Sequence, residues 1–367
     1  MAKYRFDQVA RECRTTFKGD KNGMPIVGLE HLVPNEMLVR DFEVDTENTF
    51  TKSFKQGQIL FGRRRAYQQK AGVAQFDGIC SGDITVIEAI PGKIEPNLLP
   101  FIVQNEQFFE HAVQGSAGSL SPRVKWEHLA SYEIELPTME KQRVLADKLW
   151  TAYRLKESYK KLLAATDEMV KSQFIEMFGS VDDNPKSYDI KKVGDFAECF
   201  AGATPSTKIS SYWDNGNIPW MSSGEVHKAR VQDTDAKITQ QGYDGCSTKM
   251  VPIHSIVIAL AGQGKTRGTV AINDIELCTN QSLCAIVPNE EVNYEYLFHN
   301  LRGRYKELRS MSGDVDGRGG LNLKHIQSIK VIVPPMSEQM KFVSIARQAD
   351  KSKLLHRTSI KYSKYSL

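Results

Sequence analysis

The sequence predicts a mixed α/β protein built twice over, two tandem α/β domains each followed by a long helix. Three observations carry that expectation. First, the chain repeats itself at an offset of 197 residues: Leu136-Pro137-Thr138-Met139-Glu140-Lys141-Gln142 is matched by Val333-Pro334-Pro335-Met336-Ser337-Glu338-Gln339. The same offset pairs His128-Leu129 with His325-Ile326, Phe101 with Phe298, Pro91 with Pro288, Val73-Ala74 with Val270-Ala271, and Ile59-Leu60 with Ile256-Val257. Second, the stretch before each proline motif is made of short β-branched runs broken by Gly, Pro and Asn. Third, the stretch after the first motif holds neither Gly nor Pro from Glu140 to Phe178.

In chain order, residues 1–138 read as the first α/β domain, with strands such as Ile84-Thr85-Val86-Ile87. Residues 139–179 read as the first long helix. Leu145, Leu149, Ala152, Leu155, Tyr159, Leu162, Leu163, Thr166, Met169, Val170, Phe174 and Met177 recur at steps of three and four, and Gly179 supplies a stop. About 39 residues at a rise of 1.5 Å make a rod of ~58 Å, which needs a partner along its length. Residues 180–189 are a polar, turn-rich linker containing Ser180-Val181-Asp182-Asp183-Asn184-Pro185-Lys186-Ser187. Residues 190–335 repeat the α/β domain, including the apolar run Ser255-Ile256-Val257-Ile258-Ala259-Leu260. Residues 336–367 form the second helix, where Phe342, Ile345, Ala346, Ala349 and Leu355 continue the apolar pattern before it fades into a basic tail from His356. Two copies related by a pseudo-twofold would set the long helices antiparallel in coiled-coil fashion, with a globular domain at each end.

Composition narrows the classes. Hydrophobic residues make up 41% of the 367 and charged residues 25%, as in an ordinary globular protein rather than a disordered tail. Lys and Arg number 48 against 44 acids, a net +4 that excludes a histone-like polycation. From Lys341 onward there are seven basic residues against Asp350 alone, so the rest of the chain is near-neutral. Six cysteines (Cys13, Cys80, Cys199, Cys246, Cys278, Cys284) form no CxxC pair and no zinc spacing, which predicts a reducing cytoplasm and no structural metal. The opening Met1-Ala2-Lys3-Tyr4-Arg5 has no apolar leader, and no stretch is long and apolar enough to span a membrane.

The sharpest enzyme-like motif is Ala259-Leu260-Ala261-Gly262-Gln263-Gly264-Lys265-Thr266, a loose phosphate-binding loop after an apolar strand. A true phosphate loop runs into a helix, whereas Arg267-Gly268-Thr269-Val270-Ala271-Ile272 reads as a second strand. A hairpin carrying Gln263, Lys265, Thr266 and Arg267 is the favoured reading; a P-loop ATPase using Lys265 and Thr266 is the enzymatic alternative. The matching stretch of the first copy is Phe61-Gly62-Arg63-Arg64-Arg65-Ala66-Tyr67-Gln68-Gln69-Lys70. Phe54–Phe76 carries five basic residues and no acid, and Gly245–Asn273 carries three and none. Such windows suit phosphate contact, and Arg, Gln and Asn can pair with base edges. A second loop pair closes each copy, Gly118–Arg123 and Gly313–Gly320, bringing Arg123 and Arg318 forward, with Asn322 and Lys324 just beyond. Asp314 and Asp316 fall far short of a calcium loop. Trp213 and Trp220 read as core aromatics, and His128 and His325 as structural. No methyltransferase Asn/Asp-Pro-Pro-Tyr/Phe stretch or nuclease carboxylate set is present, so no catalytic residue, metal or cofactor is expected. A coiled-coil scaffold whose globular ends bind protein remains the other alternative.

Gly202-Ala203-Thr204-Pro205-Ser206 and Tyr212-Trp213-Asp214-Asn215-Gly216-Asn217-Ile218-Pro219-Trp220 resemble the opening of a target recognition domain in the specificity subunit of type I restriction–modification systems. Residues 334–339 resemble that family's entry into the spacer helix, 137–142 are a looser instance, and Met24-Pro25-Ile26-Val27-Gly28-Leu29-Glu30 is a fainter echo. The resemblance implies two target recognition domains, each reading one half of a split double-stranded DNA site. It also implies helices that set the gap and dock two methyltransferase subunits, with restriction (nuclease/translocase) subunits completing the complex. Leu145, Leu149, Ala152, Tyr159, Leu163, Val170, Phe342, Ile345 and Ala349 are the helix positions expected to serve partner binding. The second helix departs from the pattern, with 31 residues from Ser337 to the end, so the first helix is expected to outrun it.

Overall fold

The computed structural model describes residues 2–118, 120–262, 266–312 and 319–365, with side chains through Lys353. It divides into two compact units, one taking the chain through Ser158 with the last residues from Ser363, the other spanning Tyr159–Tyr362. Each unit carries the same pair of sheets. In the first, a five-stranded sheet runs in the order Ala10–Cys13, Ile84–Ala89, Ile59–Gly62, Ala71–Ala74, Leu38–Val39. In the second the order is Ala197–Ala201, Leu283–Pro288, Ile256–Ala259, Val270–Asn273, Arg230–Val231. Both end in a parallel edge strand; the other neighbours are antiparallel.

The central strands read as unbroken apolar runs because both faces are covered. Ile59 and Phe61 point into one core while Leu60 points into another. Ile256 and Ile258 divide from Val257 and Ala259 in the same way. The smaller sheets correspond once isolated bridges are included. Ile26–Val27 runs parallel to Gly78–Cys80, as Ile218–Met221 does to Cys278–Thr279. The third strand of one copy, Lys52–Phe54, survives in the other as the single bridge Val251–Leu277. Ala236–Ile238 of the second copy is reduced to the bridge Ile26–Glu43 in the first.

The register corrects one pairing made from sequence. Ile59 faces Val73, and Ile256 faces Ile272, so Val73 corresponds to Ile272 rather than Val270. The second copy's hairpin is two residues longer. A two-residue slip keeps every side chain on its own face, so the ungapped alignment still looked in phase.

The first long helix spans Met139–Phe178, 40 residues, and the second Met336–Tyr365, 30 residues. The repeated glutamine of the proline motif has a structural cause. Gln142 is buried, donating to the Pro137 carbonyl at 2.9 Å and accepting from Glu95 N at 3.0 Å. Gln339 donates to Pro334 O at 2.8 Å and accepts from Asn293 N at 2.8 Å. In each copy the glutamine ties the first helical turn to the sheet domain. Gly179 ends the first helix at φ +75°, its N–H reaching Ile175 O at 2.8 Å.

Within the second unit the two long helices run antiparallel. Phe174 packs on Phe342 at 5.1 Å between ring centroids, and Asp167, earlier on the first helix, meets Lys353, later on the second, at 2.6 Å. Val170, Phe174, Phe342 and Ala349 belong to that unit's largest core.

Candidate nucleic-acid interface

In the first unit the hairpin loop after Ile59–Gly62 is drawn against the loop closing the copy. Val124 N donates to Arg63 O at 2.9 Å, Arg65 N donates to Pro122 O at 2.8 Å, and Arg64 bridges Arg123. The second unit repeats the join 197 residues on, where Leu321 N donates to Leu260 O at 2.8 Å. The described ends of the two predicted loop pairs are therefore brought together in both copies.

The arginine loop is held in a tight shape. Arg65 at φ +55° and Gln69 at φ +52° bracket a single 3-10 turn, Ala66–Gln68. Left-handed backbone at two non-glycine residues is sparsely populated and marks a conformation that its surroundings enforce. The turn throws Arg65 outward and leaves Tyr67 58% exposed, with Gln68 and Gln69 half-buried beside it. The Arg63 guanidinium makes no hydrogen bond among the described residues, and its Nε is buried. It lines a polar groove of about 430 Å³ with Lys125, Lys52, the hydroxyls of Thr15, Thr16 and Thr51, and Arg14, which pairs with the groove's two carboxylates, Glu12 and Glu127. Glu12 and Glu127 offset Arg14 and Lys52 there, which leaves Arg63 and Lys125, without ion pairs among the described residues, as the cations that could meet phosphate oxygens.

Sequence reasoning missed an acid. Asp83 accepts from Arg123 Nε at 2.6 Å and from Arg64 Nη1 at 3.5 Å. The hydrogen bond from Arg123, with both guanidinium charges, holds its carboxyl below the usual range. The strand pairing was the available signal, since Gly62 faces Ile84 and so places the preceding turn beside Arg63. The second copy has Ser282 at this place, where Leu260 N donates to Ser282 O just as Arg63 N donates to Asp83 O. His227, also missed, approaches Thr266 Oγ1 at 3.2 Å.

Several predicted residues take other roles. Arg267 is 2% exposed and donates to the Gly319 carbonyl, so its side chain braces the two loops from inside instead of meeting DNA. Lys70 is half-buried and donates to Leu29 O at 2.7 Å. Asn322 caps the short helix Leu323–Gln327, accepting from His325 N at 2.9 Å, while Lys324 is exposed. Gln263, Lys265 and Arg318 lie outside the described residues. Beyond the loop, Val270–Asn273 is a strand antiparallel to Ile256–Ala259, so the chain runs into a strand where a phosphate loop would run into a helix. Trp213 and Trp220 pack edge to face at 5.1 Å in a small core.

The helix positions also sort by burial. Val170, Phe342 and Ala349 are buried in their own unit and cannot meet a partner. Leu149, Ala152, Tyr159, Leu163 and Ile345 are half-buried. Leu145 is 39% exposed, joined on the first helix by Leu155 at 47%, Leu162 at 43% and Met169 at 50%. No described helix is long and apolar enough to cross a membrane, and no described group of His, Cys, Asp and Glu could hold a metal ion.

The family described as the type I restriction modification DNA specificity domain matches residues 9–165 and again residues 185–361. The chain is 27% identical over 163 residues to the EcoR124I/EcoR124II type I restriction enzyme specificity subunit of Escherichia coli, covering 44% of this chain and 40% of that one. It is 28% identical over 172 residues to the MjaIX specificity subunit of Methanocaldococcus jannaschii, covering 45% and 38%. These matches span about two-fifths of the relatives' length. The putative MjaX specificity subunit of the same organism is 21% identical over 355 residues, covering 87% and 79%. The solved S subunit of the type I restriction-modification system of M. genitalium aligns with 99% of this chain and 93% of its own, at TM-score 0.61 and 13% identity. A chain from a study of assembly and conformational transition in the type I R-M system aligns with 99% and 94%, at TM-score 0.58 and 17% identity. At those identities the likeness is one of fold.

Proposed function

The chain belongs to the type I restriction modification DNA specificity domain family, and from that premise we propose that it is the DNA-reading subunit of a type I restriction–modification complex. Each α/β domain, 1–138 and 190–335, reads one half of a bipartite double-stranded site. The helices 139–179 and 336–367, with the linker 180–189 between the copies, set the spacing and dock two methyltransferase subunits. Restriction subunits join that assembly in the cytoplasm, and they and the methyltransferases carry its chemistry. The single observation that carries this reading is the duplicated loop pair, Val124 to Arg63 and Leu321 to Leu260, presented at matching places in two copies.

Arg63, Arg64, Arg65, Tyr67, Gln68, Gln69 and Arg123 are the proposed contacts of the first copy. Gln263, Lys265, Thr266, Arg318 and Lys324 are those of the second. The near-neutral body makes a weak polyelectrolyte, so bound methyltransferases supply much of the affinity for phosphate. Footprinting with the methyltransferase present tests the reading. Two protected segments flanking unprotected, sequence-indifferent base pairs are expected, and one continuous footprint would overturn it.

A further inference from the structure

A cavity of about 700 Å³ lies wholly within the second unit, between the C-terminal half of the first long helix and the helix Tyr294–Gly303. Its volume is that of an ordinary small-molecule site. Val170, Phe174, Ile175, Ile329 and Met311 give it apolar walls. Exposed charged side chains, Glu168, Lys171, Asp182 and Lys330 among them, also line it, and two polar side chains stand less exposed. Asn300 is 5% exposed, and its Oδ1 accepts from Arg304 Nη1 at 3.2 Å. Its Nδ2 donates to nothing among the described residues. His299 stands beside it, in ring contact with Phe298 at 5.1 Å and Phe342 at 5.3 Å. Neither of its ring nitrogens has a hydrogen-bond partner among the described residues. Burial pushes this imidazole down to about 4, so the ring is neutral near pH 7 and offers one donor and one acceptor.

These nitrogens are not among the sealed polar atoms that lack a partner, so they are open to the cavity and can pair with what occupies it. The duplication shows that packing does not require them here. Glu95 N and Asn293 N meet the paired glutamines, so Phe101 and Ile102 of the first copy stand where His299 and Asn300 do, and that turn is apolar. Charge at the rim points away from a multiply charged ligand, because Arg302 faces Asp167 at 3.5 Å and Arg304 pairs with Glu307. What remains is an adjacent amide donor and a donor–acceptor ring between apolar surfaces. That set complements the edge and faces of a planar heterocycle.

We propose that this cavity binds an uncharged, planar nitrogen heterocycle of nucleoside size, its edge held by His299 and Asn300 and its faces by the apolar walls. The site is separate from the loops proposed to meet DNA, and its occupancy does not depend on that reading.

Saturation-transfer NMR on the full chain with adenosine, cytidine and uridine tests this. Ring-proton saturation is expected for at least one of the three. The double variant His299→Phe with Asn300→Ile should weaken that binding at least about tenfold. The variant carries the residue types used by the first copy, so it should melt no lower than the parent. No saturation at millimolar nucleoside, or equal saturation with the double variant, overturns the proposal. So does a double variant that melts lower, since the polar pair would then be a structural need.

Discussion

Arg123 Nε donates to Asp83 Oδ1 at 2.6 Å across a sequence separation of 40 residues, and Arg64 shares the same carboxylate. The loop that carries no acid along the chain is thus partly neutralised in space. Asp83→Asn frees two guanidinium groups for phosphate. Non-specific DNA binding is expected to tighten and its salt dependence to steepen by about one to two phosphate contacts. The same change should cost roughly 1 kcal/mol of stability at neutral pH, a modest figure because Arg123 is exposed and Arg64 partly so. Fluorescence anisotropy against salt concentration checks the first expectation, and an unchanged slope would count against these arginines as phosphate contacts.

The long helices separate packing from docking. Phe342 is fully buried among Phe174 and Phe178, so Phe342→Ala should destabilise the chain by about 3–5 kcal/mol. Leu162 is 43% exposed, so Leu162→Asp should cost no more than about 1 kcal/mol while weakening methyltransferase binding. Thermal melts and a binding titration on both variants check this. Full methyltransferase affinity in Leu162→Asp would remove this face of the helix from the docking surface.

Glu295 joins the sheet domain to the second long helix, accepting from Arg230 Nη2 at 2.9 Å and from Arg347 Nε at 3.0 Å. Burial alone would raise its carboxyl, but the hydrogen bonds from Arg347 and Arg230 outweigh it and hold the group below its ordinary range. A depressed carboxylate stabilises the fold above its unfolded pKa, and that contribution is lost as pH falls through the lower folded value. Glu295→Gln should therefore cost about 2 kcal/mol near pH 7, with the two arginines partly solvated. The difference from the parent should shrink below roughly pH 4. Urea melts at neutral and acid pH measure it, and a difference that grows in acid would contradict the assignment.

Gly179 stops the first helix where no other residue fits. A Cβ there would stand 2.3 Å from Asp183 O and 2.4 Å from Pro185 Cδ, at a φ of +75°. Gly179→Ala is expected to lose about 2 kcal/mol or more, through positive-φ strain and the clash together. A melting temperature equal to the parent's would show that the turn after the helix yields easily.

Much of the architecture was legible along the chain. The long helix announced itself by a Gly- and Pro-free run ending at Gly179, and the repeat by a proline motif whose glutamine makes the same bonds twice. The hairpin at Ile256–Asn273 was readable because β-branched residues, not a helix start, follow the glycine loop. The candidate site was legible only as a neighbourhood. Loops rich in Arg and Lys could be found, but which of their side chains reach solvent could not.

Element type, helix length and duplication were determined by the sequence itself, because periodicity and backbone breakers act between residues a few positions apart. The tertiary structure alone decided the charge and reach of the candidate interface. Arg65 and Arg267 stand in equivalent basic loops, yet one points outward and the other is sealed inside against Gly319, 52 residues further on. Arg64 and Arg123 are half-neutralised by an acid from a different turn. A long side chain turns toward whatever packs across from it, and the neighbours that set these directions come from distant parts of the chain.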